Sequence, residues 1–195
     1  MIIMNEIFSD FIEESIESLK KLQSNILDKQ IDSIVINQTF FHKDYLNEKN
    51  ITETIPEFKE IKEVKQPVLY WFELESSDKN QQIREKIESY REPLKKDFSH
   101  PNYRYTSSYK KTFSSDTKIL YVGKVQTGFW GRLVTHLGYS RYKTTAGMQL
   151  FHWYDPIEFG ELKLHYITFD KDMKYLVTVL EKQLAKKFQP LIGYY

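Results

Sequence analysis

The chain has 195 residues, 41% hydrophobic and 15% aromatic, enough apolar material for a real core and too much for a disordered polymer. It contains no cysteine, which excludes a disulfide scaffold, a thiolate metal site and a cysteine nucleophile. The net charge of +1 is unevenly spread: residues 1–65 hold 8 Lys against 13 Asp and Glu, whereas residues 66–195 hold 20 Lys and Arg against 14 acids. The second part therefore has the sign expected of a polyanion binder, and the first does not. No apolar run reaches the roughly 18 residues of a membrane span, and the N-terminus MIIMNEIFSDFIEES lacks the basic start of a secretory signal. A cytoplasmic protein with no membrane contact is the expectation.

Taken in chain order, Ile7, Phe8, Phe11, Ile12, Ile16, Leu19, Leu22 and Ile26 recur at steps of three and four, which predicts an amphipathic helix over residues 5–27. The stretch 31–41 reads equally as a strand or as a buried turn of helix. Residues 43–65 are polar with scattered apolar anchors, a short helical or irregular connector. Residues 1–65 are thus expected to form a helical N-terminal extension. PVLYWFEL (67–74) is nearly continuous in apolar residues and predicts a strand buried on both faces. Ser77 or Asp78 is placed to cap a helix that runs to about Arg91, and Pro93 ends or kinks it. Residues 98–117 read as an exposed loop or ribbon. KILYVGK (118–124) predicts a second strand, RLVTHL a short helix, and 139–160 an irregular stretch broken by Gly147 and Pro156. LKLHYITF (162–169) alternates with period two, a third strand. Asp172 is placed to cap a last helix over 173–188, stopped by Pro190. Sequential strands tend to pair, so the expected class is α+β: a small central, mainly antiparallel sheet flanked by helices.

Familiar site motifs are missing. The chain has no GxGxxG, no phosphate-binding GxxxxGK[ST], no GxSxG, and no zinc spacing among its five histidines. An ordered set of pieces remains. Val68-Leu69-Tyr70 lies on the first predicted strand and Tyr121-Val122-Gly123-Lys124 on the second. Arg132 follows Tyr121 by eleven residues, His136 lies four further on, and Glu181 precedes Pro190 by nine. In this order the pieces resemble the GIY-YIG nuclease family over roughly residues 67–193. Tyr70 falls at the tyrosine of the first motif and Tyr121-Val122-Gly123 at the second. Arg132 and His136 match the helical R-x-x-x-H pattern, and Glu181 with Pro190 matches the closing element. Val68 stands where the first motif has Gly, and the connector between the two strands is far longer than the family's. Twelve residues after Glu181, where the family usually carries Asn, this chain has Gly193.

The resemblance implies a metal-dependent endonuclease that hydrolyses DNA phosphodiester bonds, in a domain over residues 66–195 with a basic insertion at about 76–116. It implies that Glu181 holds Mg²⁺ or Mn²⁺, that Arg132 offers its planar fork to the phosphate, and that Tyr121 is the general base or orients the water. Tyr70 would orient water or phosphate, and His136 would assist proton transfer or bind phosphate. Gly193 keeps a second expectation open, a catalytically weakened nucleic-acid-binding module on the same fold. Residues 79–111 hold 9 Lys and Arg against 4 acids, so Lys95, Lys96, Lys110 and Lys111, together with Lys124, are the expected DNA contacts. The same stretch reads equally as a helix and loop covering the sheet edge. The acidic N-terminal helix needs a partner surface, and a homodimer through it would supply one.

Overall fold

A computed structural model of the chain describes residues 2–28, 31–42, 51, 55–94, 97, 99, 104–107, 113–140, 142 and 144–193; within the first helix the side chains at 2–8, 11, 25, 27 and 28 lie outside that description. The elements run α1 (Ile2–Asp28), β1 (Asp32–Ile36), α2 (Glu57–Glu63), β2 (Val68–Leu74), α3 (Asn80–Leu94), β3 (Ile119–Val125), α4 (Phe129–Leu137), α5 (Pro156–Phe159), β4 (Leu162–Thr168) and α6 (Lys174–Phe188). The class is α+β. The four strands form one sheet of order β1-β4-β2-β3, with every neighbour antiparallel. The apolar run 68–74 takes a central position, between β4 and β3, as its composition demands.

Helices cover both faces of the sheet. Val68, Tyr70, Phe72 and Leu74 point to one side and pack with Phe58 and Ile61 of α2, Ile83 and Ile87 of α3, and Phe129 and Leu133 of α4. Leu69 points to the other side and packs with Val177 and Ala185 of α6 and Leu22 of α1. Each such large side chain contributes about 1.5–3 kcal/mol by leaving water. Between Phe72 and Glu73 the β2–β3 register shifts, so that Phe72 faces Tyr121 and Glu73 faces Ile119. This bulge turns both Leu120 and Tyr121 toward the α4 side.

The N-terminal region differs from its expectation. Residues 31–41 resolve as an edge strand, β1, followed by a 3₁₀ turn at Gln38–Phe40, and β1 pairs with β4 from Asp32–Tyr166 to Ile36–Leu162. Ile36, Phe40, Ile55, Phe58 and Ile61 belong to the main core. The Tyr139 hydroxyl donates to the Phe40 carbonyl. The described residues between 32 and 63 are therefore part of the domain rather than a helical extension to it; among the described residues only α1 keeps that character. The reason is that the described anchors of the polar connector, Ile51, Ile55, Phe58 and Ile61, meet one core, which spacing along the chain does not reveal. Asp172 also departs from expectation. It lies in a 3₁₀ turn, Lys171–Met173, and makes no cap; its carboxylate accepts from Lys21 of α1 at 3.1 Å. The stretch 139–160 carries more order than expected, with α5 capped by Asp155, which accepts from the Ile157 N–H, and Pro156 at the first turn.

Candidate active site

The site lies on the sheet where β2, β3 and α4 meet. Tyr70 and Gly123 are direct partners across β2 and β3, and the Tyr70 ring leans over the glycine. A Cβ at residue 123 would sit 2.6 Å from the Tyr70 hydroxyl and 2.6 Å from Tyr121 Cε1, so the position admits only glycine while both rings stay in place. Phe129, at the start of α4, packs on the Tyr70 ring with centroids 5.3 Å apart. Gly128 caps that helix with φ of 71°, turning the chain from strand into helix.

Arg132 ties the group together. Its Nε donates to Tyr70 Oη at 3.2 Å, one terminal nitrogen donates to Tyr121 Oη at 3.2 Å, and the other to the Ala146 carbonyl at 2.6 Å. Burial acts against its charge, but the two tyrosine oxygens outweigh it and hold the guanidinium ionised, above even its usual range. The N–H groups not so used are left for a ligand.

His136 has a defined tautomer. The Met148 N–H donates to Nδ1 at 3.2 Å, so the ring proton sits on Nε2, which donates to Tyr70 Oη at 2.8 Å. Burial, with Arg132 adding to it, holds the imidazole well below its ordinary range and hence neutral. The ring is fully buried and both nitrogens are engaged. With both nitrogens engaged inside the protein, the ring is set to position Tyr70 and leaves no free atom for a phosphate. Tyr70 Oη accepts from both Arg132 and His136, so its own proton is free to point elsewhere. Burial first, then Tyr121, push the Tyr70 phenol far above its usual range, leaving it a neutral hydrogen-bond donor.

Glu181 reaches the cluster from the opposite layer. It stands on α6, and its carboxylate accepts from the Lys124 backbone N–H at the β3 edge. Burial raises its pKa, while the charges of Lys124 and Arg132 oppose that shift. Below it the chain end covers the same edge: the Leu191 and Ile192 N–H groups donate to the Ile119 and Leu120 carbonyls, and Arg84 of α3 holds the Leu191 carbonyl at 2.7 Å. Gly193 follows with φ of 120°, a conformation that an asparagine would adopt only under strain. Glycine there is thus a property of the backbone, not merely a missing side chain.

Tyr70, Tyr121, Arg132 and Glu181, with Lys124, are brought together from four elements. Lys95, Lys96, Lys110 and Lys111 lie outside the described residues. As to a divalent ion, no group of three or more His, Asp or Glu gathers among the described residues. A single desolvated carboxylate is compatible with Mg²⁺ or Mn²⁺ in one form only, an ion held mostly by water and substrate phosphate.

Sequence reasoning overlooked the segment 146–149. It supplies the Ala146 carbonyl and the Met148 N–H, and Gly147 lies so close to α4 that a Cβ would meet the Thr135 carbonyl at 2.6 Å. Gln149 follows with φ of 59°, fully buried, and neither amide atom has a partner. A left-handed backbone at a non-glycine residue costs on the order of 1–3 kcal/mol, which the packing around Gln149 must sustain. The glycine in TTAGMQ was the available signal of close approach. No protein-family model, curated protein or solved structure matches this chain.

Proposed function

We propose that the chain is a GIY-YIG-type endonuclease that hydrolyses DNA phosphodiester bonds with the aid of Mg²⁺ or Mn²⁺. One observation carries the reading: Tyr70, Tyr121, Arg132 and Glu181, picked out by their order along the chain, converge around Gly123 from β2, β3, α4 and α6. Arg132 binds the scissile phosphate with the N–H groups its tyrosine and carbonyl partners leave over. Tyr121 Oη accepts from Arg132 and orients the attacking water. The buried Tyr70 hydroxyl, bonded to His136 and Arg132, orients the guanidinium for the phosphate. Glu181 would hold the ion, which supplies neutralisation of the charge that builds on the phosphoryl oxygens. The water oxygen attacks phosphorus as the P–O bond to the leaving sugar oxygen breaks; the water's proton passes to solvent through the Tyr121 hydroxyl, and the leaving oxygen takes a proton from solvent to depart as the alcohol.

Two observations favour a second reading, a binding module with weak catalysis: the lone carboxylate and the glycine at residue 193. A plasmid-cleavage assay separates the two. The first reading expects Mg²⁺-dependent cutting by the wild type and a loss on the order of a thousandfold in Glu181→Gln, several kcal/mol of barrier. Wild-type protein that binds DNA but never cuts it supports the second. A homodimer through α1 belongs to the same proposal, since Ile12, Ile16 and Leu19 remain exposed on that helix.

A further inference from the structure

Between Phe98 and Tyr154 the chain carries eight Lys and Arg and a single acid, Asp116. Two segments of this stretch, far apart in sequence, are fastened to each other beside the site. The Ser107 N–H donates to the Gly147 carbonyl at 2.8 Å, and the Gly147 N–H donates to the Tyr105 carbonyl at 3.1 Å. Arg104 Nε donates to the Ser140 carbonyl at 3.3 Å. The junction is one peptide from Ala146, whose carbonyl takes Arg132. It presents two aromatic rings to solvent: Tyr105 is 50% exposed and Tyr142 63%. In sequence, Tyr142 is flanked by Arg141 and Lys143.

We propose that these stapled segments form a platform for an unpaired nucleic-acid strand next to the cleaved phosphate. The inference rests on the nuclease reading and deepens it by naming the substrate class: nucleic acid with a single-stranded portion at the cut. Cations attract any polyanion, but exposed rings discriminate. In a duplex the base faces are already stacked on one another, so the duplex offers a protein its phosphates and groove edges. An unpaired base has a free π-face, and a tyrosine ring gains by stacking on it. The three backbone-anchored bonds hold the platform in place before binding, which reduces the ordering cost that a free loop would pay.

The test measures fluorescence anisotropy with the full chain in chelator, so that nothing is cut. The probes are a labelled single strand, the blunt duplex of the same sequence, and that duplex with one unpaired arm. Wild type is expected to bind the first and third more tightly than the second. Tyr105→Ala and Tyr142→Ala should each weaken binding to those two by about fivefold to a hundredfold and leave the blunt duplex unchanged, while Tyr→Phe at either position keeps the wild-type affinity. No loss, or an equal loss on all three probes, overturns the platform. Cleavage of the blunt duplex in Mg²⁺ reports separately. A wild type that cuts it, with alanine variants that keep single-strand affinity, sinks the platform alone. A wild type that neither binds nor cuts any probe sinks both readings.

Discussion

Gly123 shows how a single missing methyl group organises the site. Two tyrosine rings occupy the space that its Cβ would fill, at 2.6 Å from each. Gly123→Ala should therefore push Tyr70 off Arg132 and His136, costing about 1–3 kcal/mol of stability and most of the activity. Calorimetry and the cleavage assay would report the two losses, and an alanine variant with wild-type values in both would show that the rings move freely. Glu181 makes the opposite trade. Its folded-state pKa is raised by burial, so the proton is bound more tightly folded than unfolded. Its contribution to stability is then full below the unfolded carboxylate pKa and is lost as pH rises through the folded value. Glu181→Gln mimics the protonated form. It should melt higher than wild type at neutral pH, with the gain vanishing in acid, while cleavage is lost. A lower melting temperature at pH 7 would mean that the Lys124 and Arg132 charges outweigh burial.

Among elements, β1 and α1 are not equivalent parts of the N-terminal region. The described side chains of α1 touch the rest mainly through Leu22, Ile26 and the Lys21–Asp172 bond. By contrast, β1 supplies a whole edge of backbone pairing to β4, and Phe58 of α2 packs against Trp130 of the site helix with centroids 5.0 Å apart. Removing residues 1–30 should lower the melting temperature yet leave a folded domain. Extending the deletion to residue 65 should abolish folding, because it removes the β1 partner from one edge of β4 and strips the core beneath α4 of Phe40, Phe58 and Ile61. Circular dichroism of the two truncations decides the matter; a folded 66–195 fragment would restore the boundary that composition suggested. The boundary drawn from composition follows charge, which marks solvated surface, whereas Ile36, Phe40, Ile51, Ile55, Phe58 and Ile61 reach the core between polar neighbours.

For the whole molecule, the charge asymmetry survives folding. The basic stretch from Phe98 to Tyr154 includes α4 and the segments stapled beside it, and the acidic α1 lies against the opposite layer with α6. DNA affinity should fall steeply with salt, the slope of log K against log salt shrinking by about 0.9 for each phosphate contact removed. Charge reversal at Lys95, Lys96, Lys110 and Lys111 checks whether the insertion supplies those contacts: an unchanged slope would assign them elsewhere. The three strands and the main helices from residue 67 onward were legible in the sequence, and so was the order of Tyr70, Tyr121, Arg132 and Glu181 along it, because periodicity and turn residues act locally and strand, helix and glycine announce themselves within a few positions; the short helix at Pro156–Phe159 and the 146–149 segment were not. The sequence also marked the polyanion-binding sign of the second part. Only the tertiary structure decided the rest. It made β1 an edge strand, buried His136 against Tyr70 with both ring nitrogens engaged, carried Glu181 around the β3 edge, and brought the 104–107 and 146–149 segments together. Each of these depends on which groups a distant stretch of chain desolvates or hydrogen-bonds, and spacing along a sequence carries no record of that.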